Sequence, residues 1–170
     1  MEIRNATIED AKDILKVYSY YVENTAISFE YVTPSVEEFE NRIKNTLLKY
    51  PYLVAVENGE IVGYTYAGPF KTRAAYSHCV EVTLYVDKER KKSGIGKALY
   101  KALEERLYKQ GIKNLYACVA VCEVEDEYLT NDSKRFHEHM GYQLIGRFHK
   151  CGIKFNNTYD MVWLEKIIAE

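Results

Sequence analysis

Residues 81–96 read EVTLYVDKERKKSGIG, and the reading of this stretch decides the fold. In its first half Val82, Leu84 and Val86 fall on one face of an extended strand, with Glu81, Thr83 and Tyr85 on the other. The alternation then breaks into a charged turn, Asp87 to Lys92, followed by Ser93-Gly94-Ile95-Gly96. A helical spacing comes next, with Leu99, Ala102, Leu103 and Leu107 on one side and a stop at Gly111. A turn of this kind leaves backbone N–H groups unpartnered at the positive end of a helix dipole, which makes it a site for phosphate oxygens. Lys88, Arg90, Lys91, Lys92, Lys97 and Lys101 gather positive charge in the same unit. A dinucleotide-binding glycine fingerprint would need a third glycine where Leu99 stands, so that reading fails.

The rest of the chain bounds what such a site can serve. A length of 170 residues suits a single domain spanning 1–170, and 47% hydrophobic with 28% charged residues is ordinary for a globular chain. The net charge of −2 argues against a nucleic acid or an anionic membrane as partner, so phosphate binding is expected to be local. No leader stands at Met1 and no apolar run nears membrane-spanning length, which predicts a cytoplasmic protein. Sixteen tyrosines suggest cavities walled by rings with polar tips. Cys79, Cys118, Cys122 and Cys151 read as reduced, buried thiols, and neither their spacing nor that of the histidines makes a metal site.

Upstream, Glu2 to Ala6 reads as a strand. Thr7 with Asp10 starts a helix whose expected apolar stripe is Ile8, Ala11, Ile14, Leu15, Tyr18 and Val22. Ser35 and Glu38 start a second, with Val36, Phe39, Ile43 and Leu47 as its expected buried edge. Tyr52 to Val56, Asn58-Gly59 and Ile61 to Tyr66 form a hairpin signal. Downstream, Lys113 to Cys122 is apolar enough for a buried strand, whereas Glu123 to Thr130 carries four carboxylates and reads as an exposed excursion. A helix capped by Asn131 or Ser133 ends near Gly141, and strands over Tyr142–Lys150 and Thr158–Lys166 close the chain. The order β-α-α-β-β-β-α-β-α-β-β predicts an α/β protein with a mixed sheet and helices on both faces.

Glu81, read from its strand alone, is a carboxylate on a half-exposed face. Arg73 sits in a polar loop, Lys71 to Tyr76, and Phe29 is the one large apolar ring of the connection Thr25 to Val32. His139, two residues beyond His137 and so on a different helix face, reads as structural, and His78 and His149 have no motif behind them.

The chain resembles the GNAT N-acetyltransferases, and within them the phosphinothricin acetyltransferase group. The resemblance rests on Ser28-Phe29-Glu30, YAGPFKTRAAY (Tyr66–Tyr76), VEVTLYV (Val80–Val86), SGIG (Ser93–Gly96) and FHEHMGY (Phe136–Tyr142), in order along almost the whole chain. It implies a twisted, mostly antiparallel mixed sheet of about seven strands, whose fourth and fifth strands splay apart. It also implies acetyl-CoA as cofactor, its arm lined by the backbone of Leu84, Tyr85 and Val86. The pyrophosphate would be held by amides of Lys92, Ser93, Gly94, Ile95, Gly96 and Lys97, with Lys91 where the group has glutamine or arginine.

On the same resemblance Glu81 takes the place of the general base. His137 takes that of the group facing the coenzyme sulfur, able to protonate the departing thiolate or to hydrogen-bond a substrate oxygen. Phe29, Lys71, Arg73 and Tyr76 take those of the acceptor contacts, and Asn131, or Thr130 beside it, that of a coenzyme contact. The implied reaction is acetyl transfer to a small amino-acid-like amine by direct attack in a ternary complex, often in a homodimer. Thr158 stands where the group has tryptophan, Asn156 where it has glycine, and the acidic stretch is an insertion. These departures keep open a cationic amine or a protein N-terminus as acceptor. A non-catalytic acetyl-CoA-binding sensor is the reading from another class.

Overall fold

A computed structural model describes residues 1–170. Its seven strands are β1 (Glu2–Asn5), β2 (Tyr52–Glu57), β3 (Glu60–Pro69), β4 (Cys79–Val86), β5 (Asn114–Val121), β6 (Gln143–Lys154) and β7 (Asn157–Ile167). Four helices accompany them: α1 (Ala11–Asn24), α2 (Val36–Leu47), α3 (Ile95–Lys109) and α4 (Asp132–His139). The strands form one sheet in the order β1-β2-β3-β4-β5-β7-β6. Every neighbouring pair is antiparallel except β4–β5. The expected element order and mixed sheet are therefore present.

Local chemistry places the elements. Asn58 (φ 52°) and Gly59 (φ 83°) supply the left-handed pair that joins β2 to β3. Thr7 and Asp10 form a complete capping box ahead of a short 3-10 turn and α1, and the Ser35 hydroxyl accepts the Glu38 N–H at 3.1 Å to start α2. The buried edge of α2 is narrower than expected. Phe39 and Ile43 are buried, but Val36 and Leu47, at the two ends of the helix, stand clear of the sheet.

The pleat sends alternate strand residues to two cores. Tyr52, Val54 and Tyr64 face α1 and α2. Leu53, Ala55, Val62, Val80 and Val82 face α3, whose Leu99, Leu103 and Leu107 are fully buried. Truncating one of these leucines to alanine costs about 2 to 5 kcal/mol in such a setting.

Two expectations need correction. The stretch Glu123 to Thr130 is exposed at Glu123, Val124, Glu125, Glu127 and Thr130, but it is anchored: Leu129 is buried with Ala26, Ala120 and Tyr159. Asp126 accepts the N–H groups of Tyr128 and Leu129 and the Tyr159 hydroxyl. Its acidic side chains are partly consumed in folding the loop on itself, which charge counting could not show. The cysteines are free, but only Cys79 is buried; Cys118 and Cys151 are exposed and Cys122 is intermediate. Strand context misled here because Cys118 and Cys151 border an open cleft rather than a packed core. No helix is long and apolar enough to cross a membrane.

Candidate active site

The β4–β5 ladder decides where a ligand can go. Its rungs are Cys79–Asn114, Val80–Leu115 and Glu81–Tyr116, and there the pairing stops, although β4 continues to Val86 and β5 to Val121. The outer halves of both strands face a gap. On one side of the sheet the gap opens into a cleft of about 800 Å³ lined by Phe29, Glu30, Arg42, Glu81, Cys118 and Cys151 among others. On the other it opens into a groove of about 560 Å³ lined by Val86, residues 90–97, and Thr130 to Phe136 in part. Ile27, Leu84, Tyr85, Ser133 and His137 line both, so the two form one passage with a waist at the split.

The groove end is built for anions. Lys92 (φ 61°) and Gly94 (φ 86°) are both left-handed, and Gly94 is the N-cap of α3. A residue with a Cβ would strain that position. No side chain caps the helix, and its first backbone bond runs from Ala98 N to Gly94 O at 3.0 Å. The N–H groups before Ala98 thus have no helical acceptor and sit at the positive dipole end. Around them, Arg90 is engaged by Glu57 at 2.9 Å, and the ammonium groups of Lys88 and Lys91 lie over the rings of Tyr20 and Tyr21.

The cleft end holds Glu81, half-buried on β4. Burial raises its carboxyl above the ordinary glutamate range, and the nearby Lys71 ammonium opposes that shift. Such a group holds a proton more readily than an ordinary glutamate, as a general base requires. The cleft walls are aromatic, as the tyrosine count suggested: Tyr18, Tyr52, Tyr64, Tyr66 and Tyr85 line it. Arg42 is the one permanently cationic side chain in the lining. It bonds both oxygens of Glu30, at 2.6 and 3.1 Å, and also Glu38. Glu30 in turn accepts the Tyr18 hydroxyl. The Cys118 thiol faces the cleft; crowding by its walls, and then the Glu81 and Cys151 charges, push it up to about 12.

The site residues expected from the sequence divide by position. Glu81, Phe29 and His137 line the cleft, and Leu84, Tyr85, Val86 and Lys92 through Lys97 line the waist and groove. Lys71, Arg73 and Tyr76 are exposed on the loop beside the cleft and outside its lining. Asn131 turns its amide to the backbone of Cys122, accepting from N at 3.2 Å and donating to O at 3.0 Å, while Thr130 lines the groove. His137 is buried at the waist with Nδ1 at 2.7 Å from Ser133 O and Nε2 at 2.8 Å from the Tyr100 hydroxyl. Sequence reasoning missed Arg42, Tyr100 and Cys118 as site members. For Arg42 a signal existed in its i, i+4 spacing from Glu38.

These features describe a passage for a long ligand with an anionic end, leading to a carboxylate able to take a proton. Residues 3–163 match the acetyltransferase (GNAT) domain. The chain is 32% identical to phosphinothricin N-acetyltransferase of Streptomyces viridochromogenes over 95% of its length and 84% of that protein's. It is 27% identical to the L-methionine sulfoximine/L-methionine sulfone acetyltransferase of Salmonella typhimurium, over 100% and 96% of the two chains. The crystal structure of a phosphinothricin acetyltransferase from Sinorhizobium meliloti in complex with AcCoA superposes with a TM-score of 0.90 at 29% identity, covering 99% of this chain and 89% of that one. The chain belongs to the GNAT acetyltransferase family.

Proposed function

We propose that the protein is an acetyl-CoA-dependent N-acetyltransferase acting on the amine of a small amino-acid-like acceptor, of phosphinothricin or methionine sulfoximine type. The observation that carries this reading is the single passage from the uncapped start of α3, through the β4–β5 gap, to Glu81. Acetyl-CoA, when bound, supplies the acetyl group as an activated thioester. The amides of residues 92–97 suit its pyrophosphate, because two left-handed residues and a free helix start point N–H groups the same way. Leu84, Tyr85 and Val86 offer unpaired strand edge to its arm. The groove thus fits the cofactor on the chemistry of its own donors.

At the cleft, Glu81 takes the proton of the acceptor ammonium, directly or through water, which frees the lone pair that attacks. Backbone N–H groups of β4 beyond Glu81, unpaired on the β5 side, suit the carbonyl oxygen as negative charge develops there. Phe29 gives the acceptor an apolar wall, and Lys71, Arg73 and Tyr76 offer cations and a phenol at the rim for an acceptor carboxylate or phosphinate.

One observation favours a second acceptor class. Arg42 is consumed by Glu30 and Glu38, so the lining itself presents excess negative charge. A cationic amine or a protein N-terminus would suit that lining if Lys71 and Arg73 stayed in solvent. The deciding experiment is acetyl-CoA consumption across amino acids, phosphinothricin-like compounds and polyamines. Turnover on the first two supports the main reading, and turnover on polyamines alone overturns the roles of Lys71 and Arg73.

We further infer a homodimer and a reducing, cytoplasmic setting. Edge strand β6 exposes Leu144, Ile145, Phe148 and Ile153, an apolar edge that a second copy would cover. The four cysteines are all free. One sheet carries elements from both ends of the chain, which supports 1–170 acting as a single domain.

A further inference from the structure

We propose that His137 is a positioning residue that ties α4 to α3 through Tyr100 at the waist where cleft and coenzyme groove meet, and that it donates no proton to the departing thiolate. The inference rests on the coenzyme reading above and assigns a role within it.

The tautomer follows from the partners. A carbonyl oxygen only accepts, so the 2.7 Å contact to Ser133 O places a hydrogen on Nδ1. A neutral imidazole carries one N–H, which leaves Nε2 bare; the Tyr100 hydroxyl at 2.8 Å is therefore the donor. Burial disfavours a second proton and holds the imidazole below its ordinary value, against the opposing pull of the Ser133 carbonyl. Nε2 consequently has nothing to give a leaving sulfur. Tyr100 is no better placed, since its proton is spent on His137 and a bare Nε2 could not replace it. Burial raises the phenol further above its ordinary range.

None of the ring and charged side chains packed against the pair hydrogen-bonds either member's side chain. Tyr142 packs edge-on to His137 at 5.3 Å between centroids, with its hydroxyl buried and unpaired. Glu104, on α3, is held by Lys166 at 2.8 Å. Phe136 lies against Tyr100 at 5.7 Å.

What the pair does is hold two walls at a fixed separation. α3 supplies the anion-binding turn, and α4 supplies Asp132, Ser133, Arg135 and Phe136 on the facing side. One buried hydrogen bond crosses between them, next to the waist that both cavities share. Loosening it widens the groove without touching Glu81.

The test is steady-state kinetics with acetyl-CoA varied, between about pH 6 and 9, on wild type, Tyr100→Phe and His137→Gln. Tyr100→Phe keeps the ring packing and removes only the donor. It should raise KM for acetyl-CoA about fivefold to tenfold while kcat falls less than about threefold. His137→Gln can still accept the Tyr100 hydroxyl and should show a smaller rise in KM, with both limbs of the kcat profile retained. A loss in kcat on the order of 10² in His137→Gln, together with one limb of the profile, would overturn the inference. So would a Tyr100→Phe KM within about twofold of wild type. Thermal shift with acetyl-CoA separates the two failures. A wild type that is not stabilised sinks the groove reading and this inference with it. A stabilised wild type alongside either adverse kinetic result sinks this inference alone.

Discussion

Glu81 stands opposite Tyr116 in the last rung of the β4–β5 ladder, so the carboxylate marks the point at which the sheet opens. It is fixed on paired strand on one side and borders the gap on the other. If it takes the acceptor's proton, Glu81→Gln should lower kcat by a factor on the order of 10² or more while acetyl-CoA still stabilises the protein. Because burial raises this carboxyl, the protonated, inactive form persists above the ordinary glutamate range. The acid limb of kcat/KM should accordingly lie above that range in wild type and vanish in Glu81→Gln. Near-normal turnover in the variant would remove Glu81 from the role.

Phe29 reaches the cleft by packing on Gly152. A Cβ built at position 152 would lie 2.3 Å from Cζ and 2.4 Å from Cε2 of its ring, so the ring must shift. Gly152→Ala should raise KM for the acceptor about tenfold, with KM for acetyl-CoA unchanged, since Phe29 lines only the acceptor cleft. Equal changes in both constants would show that Phe29 has no selective contact.

Lys154 is a buried lysine whose ammonium donates to Val22 O at 2.6 Å and Ser28 O at 2.7 Å. It satisfies a carbonyl near the end of α1 and fastens the connection that carries Phe29. Lys154→Met keeps the stem and strands both carbonyls, which should cost about 2 to 4 kcal/mol in denaturant unfolding. A loss below about 1 kcal/mol would mean that water replaces the ammonium at no penalty.

Acid should destabilise the protein in two stages. Burial lowers the pKa of His137 in the folded state, so below about pH 6.5 the unfolded chain binds a proton that the folded one refuses, and stability falls with pH. Asp10, held down first by the Arg4 guanidinium, Glu30, held down first by Arg42, and Asp160, held down first by the Lys150 N–H, act lower. Their folded values lie below their unfolded ones, so their contribution is complete above about pH 4 and is lost as pH falls through the folded values. Melting temperature should decline below about pH 6.5, gently because the raised Glu81 carboxyl takes up its proton before the unfolded chain does and offsets part of the loss, and steeply below about pH 4. The gentle stage should be absent in His137→Gln. A melting temperature level down to about pH 3 would contradict both stages.

The frame of the molecule is written in local signals. Period-2 alternation marks β4, Asn58-Gly59 marks the hairpin, and Ser93 to Gly96 marks the turn into α3, each within a few residues of the structure it specifies. The turn before α3 and the half-exposed place of Glu81 on β4 were legible for that reason, whereas the role given to Glu81 came from the resemblance alone. What was not legible depends on residues far apart in the chain: Arg42 on Glu30, Tyr100 on His137, Phe29 on Gly152. The four carboxylates near 123–127 look solvated in sequence because nothing there reveals that Leu129 is an anchor or that Asp126 ties its own loop. Of the two neighbours left open in the sequence, Asn131 closes its amide on Cys122 and Thr130 lines the groove.

A sheet joined across its middle by three rungs is two blades on a short hinge. Amide protons along Val82–Val86 and Ala117–Val121 that face the gap lack interstrand acceptors and should exchange quickly with heavy water. Those on the β3 and β7 sides of the same strands should exchange slowly. An arm carrying its own amides, lodged in the gap, would act as a missing strand, and filling it would slow the first set and stiffen the hinge.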